Sequence, residues 1–280
     1  MHPGDLFAMK LRREIVVRVG VAVVALPIVG ALLWRGDRWC AALFAAGGAL
    51  SAYEYYRMTE LRNAGLRWGG VTATAVLPAL PLIMPVQWPM AALGVLATSS
   101  VLTWTALLIR GPRHEASRRS GVLVGAIVYI ATGLVSLAVL RARSDGLAWA
   151  SAVLIATWAN DTGAFFGGKL VGRHRLLPAV SPGKTWEGVA VGAVVGMAGA
   201  IGARAWFGAP PLAAAIAIGV IAAVLGPIGD LCKSMVKRAA GVKDTGKLFL
   251  AHGGMLDRID ALLLNAPGVL AYVVLRALTD

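Results

Sequence analysis

The chain has 280 residues, 58% hydrophobic and only 15% charged, with its apolar residues in long blocks between short basic stretches, which excludes an ordinary soluble domain and indicates a membrane protein. A formal net charge of +13 does not imply nucleic acid, because that reading needs a basic face on a soluble domain. The two cysteines, Cys40 and Cys232, stand far apart with no CxxC spacing, so neither a disulfide framework nor a zinc site is indicated.

A bilayer core needs about 20 apolar residues per helix. Runs of that length predict nine spans, at 15–34, 39–56, 68–86, 87–109, 120–140, 147–167, 188–206, 211–229 and 259–278. The second and eighth are short or broken by glycine and proline. The first begins after Arg12-Arg13 and ends at Arg35 without a small-residue cleavage site, so it is expected to be a retained helix rather than a signal peptide. With the N-terminus in the cytoplasm, only Arg35, Arg38, Arg141, Arg143, Arg204 and Arg276 of the 27 lysines and arginines fall on the far side. That bias fits the positive-inside rule and predicts the N-terminus in and the C-terminus out. The expected fold is therefore an all-α, polytopic membrane protein forming a single transmembrane catalytic domain over 1–280. Residues 1–146 are read as a helical scaffold half and 147–280 as the catalytic half.

Asn160-Asp161 places a carboxylate inside an otherwise apolar span, at an insertion cost of roughly 2.5–3.5 kcal/mol. Such a group faces a polar cavity or forms a structural salt bridge. The following loop, Arg173 to Gly188, contains Ser181-Pro182-Gly183-Lys184-Thr185. Gly183-Lys184-Thr185 mimics the end of a P-loop, yet Pro178 holds the position of the upstream glycine and no strand is expected before it, so the Walker reading is rejected. A basic, hydroxyl-bearing loop remains, suited to phosphate oxygens or simply part of the positive-inside charge.

Gly226-Pro227-Ile228-Gly229 ends the eighth span and is expected to interrupt its helix where backbone borders a cavity. If helical beyond Gly229, the chain brings Asp230, Ser234, Lys237 and Arg238 to one broad face. Downstream, Asp257 and Asp260 share a helix face at the mouth of the last span, with Arg258 pointing elsewhere. Paired carboxylates there suit a hard cation such as Mg²⁺, which prefers oxygen ligands and contact with substrate phosphates. His252 could touch phosphate, transfer a proton, or fix the turn with Gly253-Gly254.

Ser234-Met235-Val236-Lys237-Arg238, Lys243-Asp244-Thr245-Gly246 and His252-Gly253-Gly254-Met255-Leu256-Asp257-Arg258-Ile259-Asp260 together resemble the signature of the phosphatidate cytidylyltransferases. Asn160-Asp161 and Ser181 to Gly188 are also similar to that family, and Glu54-Tyr55-Tyr56-Arg57-Met58 more weakly. The chain departs from the family where Leu250-Ala251 replaces the usual Pro-Gly before the histidine. The resemblance implies attack of the phosphate of phosphatidate on the α-phosphorus of CTP, giving CDP-diacylglycerol and pyrophosphate. It implies Asp230 and Asp257 as Mg²⁺ ligands with Asp260 near them, a monovalent cation such as K⁺ sharing the site, and Asp230, Asp257, Lys237 and Arg238 as the catalytic set. Asp161, Ser181, Lys184, Thr185, Ser234, Lys243, Asp244, His252 and Arg258 are implied in substrate binding. CTP, phosphatidate and the lipid bilayer are the expected partners, nucleic acid is not, and a homodimer is compatible. The implied location is the bacterial inner membrane with the site facing the cytoplasm.

Two other classes compete. A transporter or channel would also carry intramembrane aspartates, but spread across the membrane depth. A CTP-dependent lipid or polyprenol kinase, or a cytidylyltransferase for ether lipids, differs only in its product. A CDP-alcohol phosphotransferase is disfavoured because its Asp-Gly-x-x-Ala-Arg motif is absent. An inactive homologue is the remaining alternative, prompted by Leu250-Ala251.

Overall fold

The computed structural model describes residues 20, 23–59, 61, 63–110, 116–242, 245–246 and 253–279. Long helices dominate: α1 (Val23–Arg35), α2 (Asp37–Met58), α3 (Ala64–Ile83), α4 (Trp88–Arg110), α5 (116–141), α6 (Gly146–Leu170), α7 (Trp186–Phe207), α8 (Leu212–Ala239), the single turn α9 (Leu256–Ile259) and α10 (Leu262–Thr279). Among the described residues, six helical stretches are long and apolar enough to cross a bilayer: Ala64–Ile83, Trp88–Ile109, Arg118–Arg141, Trp186–Phe207, Leu212–Ala239 and Leu256–Thr279. The chain is an all-α integral membrane protein. The other three expected spans are helical over their described residues: α1 covers the described part of the first, α2 bears Asp37, Arg38, Glu54 and Arg57, and α6 bears Asn160 and Asp161.

Two expectations are corrected. The loop 173–188 contains a small antiparallel hairpin, β1 (Arg175–Leu177) with β2 (Ser181–Thr185), registered Arg175 to Thr185 and Leu177 to Ser181. Proline at 178 and 182 disguised these short strands, since proline rarely enters a ladder except at an edge. Nor is the helix broken at Gly226-Pro227: α8 runs unbroken for 28 residues through Pro227. Proline inside a helix is tolerated in membrane bundles, where it removes one backbone N–H donor without ending the helix.

The hairpin connects α6 and α7, which pack antiparallel along a seam of small residues. A Cβ on Gly192 would lie 2.7 Å from the Asn160 carbonyl oxygen, and one on Gly196 would lie 2.9 Å from Asn160 Cβ. Gly163 and Gly167 face Val195 and Val191 equally closely. Small residues let two backbones approach where lipid offers no hydrophobic drive for helix pairing. The seam fixes Asp161 relative to the hairpin. At the opposite end of the bundle, Arg141 donates from Nη2 to the Leu33 carbonyl at 2.9 Å and lies 3.8 Å from Asp37, closing the C-terminus of α1.

Candidate active site

On α8, Asp230, Lys233 and Lys237 follow one another at i, i+3 and i+7 and therefore share a helical stripe. Lys233 is only 6% exposed. Its ammonium lies 3.0 Å from Asp230 Oδ1, 3.2 Å from Asp257 Oδ1 and 2.5 Å from Asp260 Oδ2. Two further lysines close the cluster from outside. Lys184, at the end of the hairpin, reaches Asp230 Oδ2 at 2.7 Å and the Pro227 carbonyl at 3.3 Å. Lys237 pairs with Asp257 Oδ1 at 2.9 Å.

Asp257 is held by backbone as well as by charge. Its Oδ2 accepts the N–H groups of Thr245 at 3.1 Å and Gly254 at 3.2 Å, and the Thr245 hydroxyl at 2.8 Å. Gly253 has φ +74°, a conformation that side chains avoid, and a Cβ there would collide with Asp257 Oδ2. Beneath this loop lies Glu54, from α2, only 7% exposed. It accepts the N–H groups of Met255 at 2.9 Å and Leu256 at 3.0 Å and lies 3.2 Å from the Thr245 hydroxyl, whose single hydrogen it shares with Asp257. The carboxylate thus takes up free N–H groups at the start of α9, where an anion is favoured. A Cβ on Gly254 would run into the same carboxylate, so the Gly253-Gly254 pair provides the space for both acids.

Close packing sets the position of Asp260 against α8. A Cβ on Gly229 would lie 2.6 Å from the Asp260 carbonyl oxygen. One turn deeper, Asn160 and Asn265 approach Gly226, and Asn265 Nδ2 donates to Thr157 Oγ1 at 2.9 Å. These contacts tie α6, α8 and α10 into one unit behind the aspartates.

The structure thus gathers Asp230, Asp257, Asp260, Lys184 and Lys237, and Asp161 projects from α6 within electrostatic reach of Asp230, Lys184 and Lys233. Thr185 is buried and caps α7, its hydroxyl accepting the Gly188 N–H at 3.1 Å. Ser181 pairs with Leu177 in the hairpin, Ser234 is half-buried on α8, and Arg238 and Arg258 are exposed. Ser181, Thr185, Ser234 and Arg238 contribute no ion pair to the lysine–aspartate cluster among the described residues. Lys243, Asp244 and His252, and the departure Leu250-Ala251, lie outside the described residues.

Lys233 and Glu54 are the central residues that the sequence reading did not select. For Lys233 the signal was its i+3 spacing from Asp230. For Glu54 it was a buried acid late in an apolar helix, within the weaker stretch of the resemblance.

Three aspartates and three lysines converging at the ends of apolar helices define a membrane protein built to manage polyanionic chemistry where helices meet polar loops. The chain belongs to the cytidylyltransferase family, whose profile matches residues 16–276, and it is a nucleotidyltransferase. Among its relatives is the phosphatidate cytidylyltransferase of Mycobacterium bovis, 30% identical over 296 residues that cover 96% of this chain and 89% of the relative. The phosphatidate cytidylyltransferase of Brucella suis is 30% identical over 254 residues, 89% of each chain. That of Haemophilus influenzae is 40% identical over 120 residues, 41% of this chain and 42% of the relative.

Proposed function

We propose that this chain transfers the cytidylyl group of CTP to phosphatidate, yielding CDP-diacylglycerol and pyrophosphate at the cytoplasmic face of a bacterial inner membrane. The observation that carries the reading is the convergence of Asp230, Asp257 and Asp260 on one point, flanked by Lys184 and Lys237. The family and the names of the relatives support it.

The phosphate of phosphatidate is already an anion, so no protein base is needed to generate the nucleophile. Its oxygen forms a new bond to the α-phosphorus of CTP. The bond from that phosphorus to the bridging oxygen of the β-phosphate breaks, and its electron pair leaves with pyrophosphate. Catalysis of this kind rests on positioning and on neutralising charge. Lys184 and Lys237 are 22% and 14% exposed at the side chain, and each can exchange an aspartate for a phosphate oxygen. Thr185, by capping α7, holds the Lys184 end of the hairpin in place.

The three aspartates are oxygen donors of the kind a hard divalent cation would take, with the Lys233 ammonium lying among them. Asp230 and Asp257, with Asp260 beside them, offer only oxygen atoms, which suits Mg²⁺. Mg²⁺ held there would supply Lewis-acid stabilisation to phosphate oxygens. Asp230, one-third exposed at the side chain, is the most accessible of the three.

With nine spans and the N-terminus in, the most basic loops and the site would lie on the cytosolic side, where CTP is available. The acids lie together at one end of the bundle, which favours an interfacial enzyme over an ion pathway. A homodimer is compatible with the lipid-exposed faces of α4. Detergent-purified protein given labelled CTP, Mg²⁺ and phosphatidate is expected to form labelled CDP-diacylglycerol. A phosphorylated lipid carrying no cytidine would instead identify a lipid kinase.

A further inference from the structure

Six charged groups form the cluster, and their charges cancel: Asp230, Asp257 and Asp260 against Lys184, Lys233 and Lys237. The lysines are not equivalent. Lys184 and Lys237 approach from the rim, and each has an ion pair with one aspartate. Lys233 is buried, rises from the last two turns of α8 and contacts all three acids. Those acids come from separate segments: Asp230 from α8 itself, Asp257 from α9 and Asp260 from the junction between α9 and α10. Without a cation among them, three carboxylates this close would repel one another, and they would force apart the elements that carry them.

We propose that Lys233 is a positioning residue whose ammonium serves as a tethered internal cation, assembling the aspartate triad before any metal ion or nucleotide arrives. The inference rests on the catalytic reading above only in that the triad is the cation site. The charge that a monovalent ion such as K⁺ would bring is already supplied by the chain, and the rim lysines stay free to move to phosphates.

The test is thermal unfolding of the full chain in detergent, with chelator alone, with Mg²⁺ and with K⁺. Lys233→Met keeps the bulk of the side chain and removes the charge. In chelator it is expected to unfold on the order of 10 °C below wild type, and added Mg²⁺ is expected to restore most of that loss while shifting wild type far less. Unfolding together with wild type in chelator, or a loss that neither cation repairs, would overturn the proposal. The double variant Lys233→Met/Asp260→Asn removes one acid along with the lysine. It is expected to unfold above Lys233→Met, and to be recoverable even if the single variant does not fold. A double variant no better than the single one, or equally unrecoverable, also overturns it. Cytidylyl transfer by wild type is measured separately, so failure of the catalytic reading leaves the unfolding result interpretable, and the reverse.

Discussion

The carboxylate of Glu54 accepts the backbone N–H of Leu256 at 3.0 Å, across 202 residues of chain. This contact joins α2 to the start of α9 at the candidate active site. The first half is more than scaffold: α2 supplies the anion that holds the start of α9, and α9 carries Asp257.

Removal of that anion strands the N–H groups of Met255 and Leu256. Hydrogen bonds to charged groups contribute about 1.5–3 kcal/mol each when buried. Glu54→Ala is therefore expected to lower unfolding stability in detergent by about 3 kcal/mol and to reduce kcat strongly, because Asp257 moves with the loop. Unchanged turnover would detach Glu54 from the site.

Gly254→Ala should resemble Glu54→Ala in kinetics, since the added methyl occupies the space of the Glu54 carboxylate. Gly183→Ala is the matched comparison, because a Cβ there meets nothing within 4 Å. Its stability is expected to stay within about 0.5 kcal/mol of wild type, with CTP turnover unaltered. Equal effects from the two substitutions would contradict the steric account.

Lys184→Ala removes a rim cation while Asp230 keeps Lys233 as its partner. One charge-assisted contact to a phosphate corresponds to a roughly 10–100-fold weaker interaction. Steady-state kinetics should show KM for CTP rising by about that factor with the unfolding temperature nearly constant. A large fall in stability with KM unmoved would make Lys184 structural.

The seam between α6 and α7 gives a prediction remote from the chemistry. Gly192→Leu places bulk against the Asn160 carbonyl, and overpacking of this kind costs about 1–3 kcal/mol. Denaturant or thermal unfolding measures the cost, and activity should fall as Asp161 and the hairpin separate.

Sequence patterns revealed much of this architecture because membrane helices are governed by local composition. Six of the expected spans correspond to helices long and apolar enough to cross a bilayer and the rest are helical over their described residues, and Asp230, Asp257 and Asp260 could be selected from their spacing and from the resemblance. What remained hidden depended on contacts between distant segments. Spacing on α8 fits Lys233 as well as Ser234 beside Asp230, and only the approach of Asp257 and Asp260 from α9 and its junction shows that Lys233 faces the acids. Glu54 lies two hundred residues from its partners. Thr185 looks like a phosphate ligand in sequence, and its second role, accepting the Gly188 N–H as the cap of α7, does not show there. The continuity of α8 through Pro227 also runs against the local Gly-Pro pattern, which reads as a break.

The central claim is that the aspartate cluster performs cytidylyl transfer. It is tested most directly by CDP-diacylglycerol formation in detergent from labelled CTP, Mg²⁺ and phosphatidate, comparing wild type with Asp230→Asn and Asp257→Asn. Wild type is expected to form product, and each variant essentially none, while both elute as folded protein on size exclusion. Wild-type rates in either folded variant would contradict the account.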